Sequence, residues 1–157
     1  AIPFTCGVVG SLIGGRVCDA LSRRGYSTIQ SCKIPLVCAL SGVVLCTVLA
    51  AYSSSSFLAV VYISISMFLI MAGSTAAWAM ATVAAPQNYA ASLGSIQNFG
   101  GYLGGTLAPT VTGYMVQATK SFQSALLVAA GVALLAGLGH LLLARKPISL
   151  AEAEKSH

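Results

Sequence analysis

The chain is 157 residues long, 57% hydrophobic and only 7% charged, with a formal net charge of +5 and a mean hydropathy of +0.86. Soluble domains are about 25% charged, so this composition excludes an ordinary water-soluble globule and places the chain in the helical membrane class. The positive charge does not point to nucleic acid, because the basic residues are scattered between apolar blocks and form no stripe interleaved with aromatics.

Between Lys33 and Lys120 there is no Asp, Glu, Lys or Arg. Exposed loops in water are not built that way, whereas segments crossing a bilayer are. About 20 apolar residues span a bilayer as a helix, and runs of that kind predict an all-α, polytopic membrane protein with five crossings. The first covers about 1–20 and ends in a cluster of Arg16, Asp19, Arg23 and Arg24. The second covers 34–51, with Pro35 suited to a first helical turn and the serine run 53–56 closing it. The third covers 57–85 and stops at Pro86. The fourth covers about 90–118, is glycine-rich and carries Pro109, which should kink it. The fifth covers about 121–144 and ends at Arg145, Lys146 and Pro147. Residues 1–147 thus read as the transmembrane region and 148–157 as a short polar tail on the cytoplasmic side.

Orientation follows from the excess of Lys and Arg in cytoplasmic loops. With the loop holding Arg23, Arg24 and Lys33 inside, five alternating crossings leave Lys120 alone outside and return Arg145, Lys146 and Lys155 to the inside. The fragment's N-terminus is then external and its C-terminus cytoplasmic, in a cytoplasmic (inner or plasma) membrane. Ala1 carries no preceding Met or charged region, so 1–12 is not a signal peptide and the chain reads as part of a longer protein. Cys6, Cys18, Cys32, Cys38 and Cys46 form no CxxC pair and read as packed thiols rather than as a metal set or disulfide framework. No cofactor is implied.

Several residues carry more than packing. Asp19 and Arg23 are four apart and face each other on a helix, at a depth where a lone carboxylate is costly. They form either an ordinary interfacial ion pair or a gate element that docks in one conformation. Gly100/Gly104, Gly101/Gly105 and Gly10/Gly14 are GxxxG pairs, which allow helices to approach closely. Asn98 and Gln97 put carboxamides inside a predicted span, where they either bond a neighbouring helix or face a wet cavity. Ser74 and Trp78 share a helix face, with Thr75 adjacent. Ser64 and Ser66 read as bonded to helix backbone, and His140 as an interfacial side chain.

The segment from Gly15 through Asp19 to Arg23, Arg24 and Gly25 resembles the cytoplasmic signature G-x-L-A-D-R-x-G-R-R of major facilitator superfamily transporters, in its looser second copy. Gly15, Asp19, Arg23 and Arg24 match, while Ala20 and Ser22 depart from it. The stretch from Ser95 through Asn98, Gly100, Gly101, Gly104, Gly105 and Pro109 to Gly113 resembles helix 11 of the anion:cation symporter branch, which includes galactonate, glucarate and tartrate permeases. The resemblance covers nearly the whole chain as helices 8 to 12, part of the C-terminal half of that fold. It implies a fragment of a secondary active transporter, proton-coupled and working by alternating access, for a small organic anion such as a sugar acid or dicarboxylate. Asn98, Gln97, Ser74, Thr75 and Trp78 would contact substrate, and Gly15, Asp19, Arg23 and Arg24 would form the gating motif. Similar permeases often carry a hydroxyl residue just before the Trp; here Ala77 stands there. The implied partners are the substrate, the bilayer and the missing N-terminal half, where the family's proton-binding carboxylates lie. The only acids in this chain are Asp19, Glu152 and Glu154, none placed to couple protons. The competing reading is a non-transporting membrane assembly module, or a remnant of a truncated transporter. An enzyme is disfavoured because no nucleophile–base pair or acid cluster can be assembled.

Overall fold

The computed structural model describes residues 2–84 and 86–143, with Gln87 and Leu143 described in the backbone only. The predicted tail 148–157 and the basic residues Arg145, Lys146 and Lys155 lie outside the described residues. Five helices account for almost all of the described chain: α1 (Ile2–Arg23), α2 (Thr28–Ala51), α3 (Ser56–Ala84), α4 (Gln87–Thr119) and α5 (Phe122–Leu143). Four of them, α1, α2, α3 and α5, are both long and apolar enough to cross a membrane. α4 is the longest at 33 residues. Its glycine, serine, threonine and carboxamide residues dilute its apolar character, and it falls short on that count alone. The result is an integral membrane protein of helical architecture.

Helix ends follow local chemistry. α1 closes in a Schellman turn: Tyr26 N–H donates to Leu21 C=O (3.4 Å) and Gly25 N–H to Ser22 C=O (3.1 Å). Gly25 supplies the required positive φ of 89°. Replacing it with Ala should therefore cost about 1 kcal/mol through the left-handed backbone, read as a lowered unfolding midpoint in detergent with the α1 packing intact. α2 starts earlier than the apolar run implies, at Thr28, where Ser27 Oγ accepts from Gln30 N–H (3.4 Å). Pro35 consequently lies inside α2 rather than in its first turn. Pro86 N-caps α4, and Pro109 sits within α4 without ending it.

α3 is the central element, packed most extensively on α1 and α2, while α2 also packs on α5. α4 touches α3 and α5 only lightly, and none of its described residues is buried. The core at the α1–α2–α3 junction is built from Cys18, Cys32, Leu36, Ala76 and Met80, mostly small or sulfur-bearing side chains. Small residues let the backbones close up, which is how membrane helices gain van der Waals contact where lipid removes the hydrophobic drive. Gly10 and Gly14 of α1 lie directly on the α3 backbone, against the carbonyls of Phe68 and Ala72. The large apolar residues point outward instead, among them Phe4, Leu45, Phe57, Phe99, Leu135 and Leu142, as a lipid-facing surface requires.

Polar side chains inside the bundle are bonded. Ser64 Oγ donates to Val60 C=O (2.7 Å) and Ser31 Oγ to Ser27 C=O (3.1 Å). Ser66 departs from the backbone-bonded expectation, since its hydroxyl meets Thr47 Oγ1 of α2 at 3.5 Å. His140 Nδ1 lies 2.8 Å from Ala136 C=O on its own helix. Lys33 Nζ donates to Leu141 C=O (2.6 Å), placing a cation on the carbonyl end of α5, where the helix dipole favours it. That contact sets the start of α2 and the end of α5 at the same end of the bundle.

Candidate functional site

Where α3 and α4 diverge from their shared turn, a cleft of about 300 Å³ opens between them. α3 contributes Trp78, Ala81 and Thr82; α4 contributes Ala90, Ala91, Gly94, Ser95 and Asn98. Helical spacing explains the set. Trp78 and Thr82 are one turn apart on α3, and Ala91, Gly94, Ser95 and Asn98 recur at intervals of three and four on α4. Gly94 lies beside the indole, where a Cβ would be in ordinary contact at 3.5 Å from Trp78 Cζ3. Among the described residues no ionisable side chain lines the cleft.

The residues singled out from sequence fall in three places. Asn98 and Trp78 line the cleft from its two different helices, and both are exposed. Gln97 is half-buried and Ser74 exposed, and neither lines the cleft. Thr75 is committed elsewhere: its hydroxyl lies 3.1 Å from Met71 C=O on its own helix and 3.3 Å from Ser11 C=O on α1. One residue of offset along a helix is about 100° of rotation, which carries Thr75 into the α1–α3 seam and Gln97 away from Asn98. Ser95, Thr82 and Gly94 escaped the sequence reading, although i, i+3 spacing from Asn98 and i, i+4 spacing from Trp78 would have found Ser95 and Thr82.

The charged motif sits at the far end of α1. Gly15 lies on the seam with α3, where a Cβ would be 3.7 Å from Thr75 Cγ2. Asp19, Arg23 and Arg24 are all exposed. The i, i+4 spacing of Asp19 and Arg23 allows a pair, yet among the described residues no ion pair joins them. Exposed pairs gain little over two separately hydrated groups, so both side chains remain available to a further surface. Cys18, directly before Asp19, is buried in the core beside Cys32. Among the described residues no three His, Cys, Asp or Glu side chains gather as metal ligands.

Small-residue seams and an exposed apolar shell define a polytopic integral membrane protein of helical architecture. Comparison with known proteins specifies the relationship. The chain is 34% identical over 149 residues, 95% of its length, to the probable L-galactonate transporter of Escherichia coli K12. It is 32% identical over 145 residues, 91% of its length, to a probable galactarate/D-glucarate transporter of Bacillus subtilis 168. A hexuronate transporter of Bacillus subtilis 168 is 29% identical over 141 residues, 87% of the chain. The matched regions make up 33%, 31% and 33% of those three relatives, so the chain spans about a third of their length. No protein-family model matches it. The chain is a relative of these sugar-acid transporters and is similar to a segment of a major facilitator superfamily anion transporter.

Proposed function

We propose that this chain is the part of a secondary active transporter, for a small organic anion such as a sugar acid or dicarboxylate, that supplies one wall of the substrate site. The observation that carries this reading is that Asn98 of α4 and Trp78 of α3 line one cleft, with no ionisable side chain among its described residues, in a chain related along nine-tenths of its length to sugar-acid transporters. Asn98 offers a carboxamide with both donors and an acceptor, and Trp78 an apolar wall. Ser74 and Gln97 contribute from the rim in other conformations, while Thr75 holds α3 to α1.

Substrate binds between two halves that rock about it. Residues 1–147 form the membrane portion and 148–157 the cytoplasmic tail. The fragment's N-terminus is external, and the end bearing Arg23, Arg24 and Lys33 is cytoplasmic. Gly15, Asp19, Arg23 and Arg24 act as the gate, the exposed charges docking on the opposing half in one state only. The helices of that other half carry the proton-binding carboxylates and the cationic anchor for the substrate, and they cover the open face of α4.

Uptake of radiolabelled galactonate into proteoliposomes tests this. The full-length protein should accumulate it when the outside is acidified, and lose accumulation when a protonophore collapses the gradient. The 157-residue chain alone should insert without transporting. Failure of the full-length protein to move galactonate, glucarate and galactarate would overturn the proposal, and robust uptake by the isolated chain would refute the two-half requirement.

A further inference from the structure

We infer that the α3–α4 cleft recognises the hydroxyl-bearing end of the substrate rather than its carboxylate, and that Thr82 and Ser95 are specificity-determining residues acting as hydrogen-bond acceptors. This rests on the transporter reading above and goes beyond it by assigning a polarity to the bound molecule.

Among the described residues, three side chains that line the cleft are capable of hydrogen bonding: Thr82, Ser95 and Asn98. Two of them have already placed their only proton. Thr82 Oγ1 donates to Ala79 C=O at 2.8 Å, and Ser95 Oγ donates to Ala91 C=O at 2.9 Å. A hydroxyl whose proton is held by its own helix keeps lone pairs to accept with and has nothing to donate. Both hydroxyls are exposed on the cleft side of their helices, so what they present to a guest is acceptor oxygen. A carboxylate, which is acceptor only, finds no complement in these two hydroxyls. An alcohol O–H does.

Two further features agree. Among the described residues neither Lys nor Arg lines the cleft, so an anionic group would enter it without a counter-charge from them. The Trp78 ring, held close to Gly94, offers an apolar surface to the C–H face of a polyhydroxylated carbon chain. Among the described lining residues Asn98 is the one that can still donate, and it can equally accept. Together these groups fit a run of secondary alcohols, with the acid group pointing out of the cleft toward the rest of the protein.

The test is competition against radiolabelled galactonate uptake by the full-length protein, using unlabelled galactonate and a set of singly deoxygenated hexonates. In the unsubstituted protein, removing one hydroxyl distal to the carboxylate should weaken competition about three- to tenfold, the size of one neutral hydrogen bond. Ser95→Ala and Thr82→Val should each weaken galactonate by a similar factor, yet leave the matching deoxy compound unchanged. Each substitution removes the acceptor whose donor that compound lacks. Equal losses for galactonate and every deoxy compound would overturn the inference. So would variants whose altered preference tracks the carboxylate, read with galactonamide as competitor. If the unsubstituted protein takes up no hexonate, the transporter reading itself fails and this inference with it. If uptake is robust but the variants are indifferent to hydroxyl pattern, only this inference fails.

Discussion

Replacing Gly14 of α1 by alanine is expected to destabilise the bundle by roughly 3 kcal/mol, the upper end of what one extra methyl costs in a packed interior. Its Cβ would meet the backbone of Ala72 on α3, with Ala72 Cα 2.7 Å away. Gly10 is in the same position, its added methyl overlapping the Phe68 carbonyl. A flexible side chain in the way can rotate aside, but backbone cannot, so the whole α1–α3 seam would have to part. At Gly7 the nearest obstacle is Met71 Cγ at 3.1 Å, a side chain able to yield, and alanine there should cost less. The readout is the fraction of the 157-residue chain remaining monomeric in detergent after heating. Gly14→Leu should fail to give a folded monomer at all.

The contrast lies on α4. Gly100, Gly101, Gly104 and Gly105 repeat the same four-residue spacing, yet a Cβ at any of them would meet nothing within 4 Å. Alanine at Gly104 should therefore be neutral or stabilise this chain by up to about 1 kcal/mol, the helix-propensity difference between the two residues. The same motif thus carries opposite signs in two helices. If Gly104→Ala lowered the midpoint of this chain as much as Gly14→Ala, the packing described here would be wrong.

That contrast marks what the sequence could disclose. The uncharged run from Lys33 to Lys120 forces helices that satisfy their own backbone groups, so the all-α membrane class and the number of helices were legible from composition and breakers. Glycine spacing states which residues share a helix face. It does not state what stands opposite, and so Gly10/Gly14 and Gly100/Gly104 were indistinguishable until α1 was seen against α3 and α4 was seen exposed. The candidate site was half legible for the same reason. Asn98 and Trp78 stood out as a carboxamide and an indole in an apolar stretch, and the cleft contains both. Thr75 stood beside Ser74 in sequence, but its hydroxyl reaches Ser11 on α1, a partner 64 positions away that no local pattern reports. Pro35 was misplaced because the apolar run marks the hydrocarbon-spanning part of α2, whereas the helix itself begins at the Ser27 cap.

Asn98→Ala separates the two functional readings most sharply. Among the described residues its carboxamide makes no hydrogen bond, and it is exposed and lines the cleft with Trp78. An assembly module would use such a group to bond a partner helix, an interaction averaging about 0.6 kcal/mol in membranes, so its loss would shift stability slightly and nothing else. A substrate ligand behaves differently. Removing it leaves a hydroxyl of the bound acid without its partner, and the expected result is a ten- to hundredfold fall in kcat/KM for galactonate, about 1.4 to 2.7 kcal/mol. The thermal midpoint should move by less than the Gly14→Ala change. Thr75→Val supplies the opposite pattern, since its bond to Ser11 C=O joins α3 to α1: a lowered midpoint with KM preserved. Should Asn98→Ala retain full uptake while the midpoint falls, the carboxamide is structural and the cleft is a packing gap. Should uptake fall with the midpoint held, Asn98 touches what the protein carries.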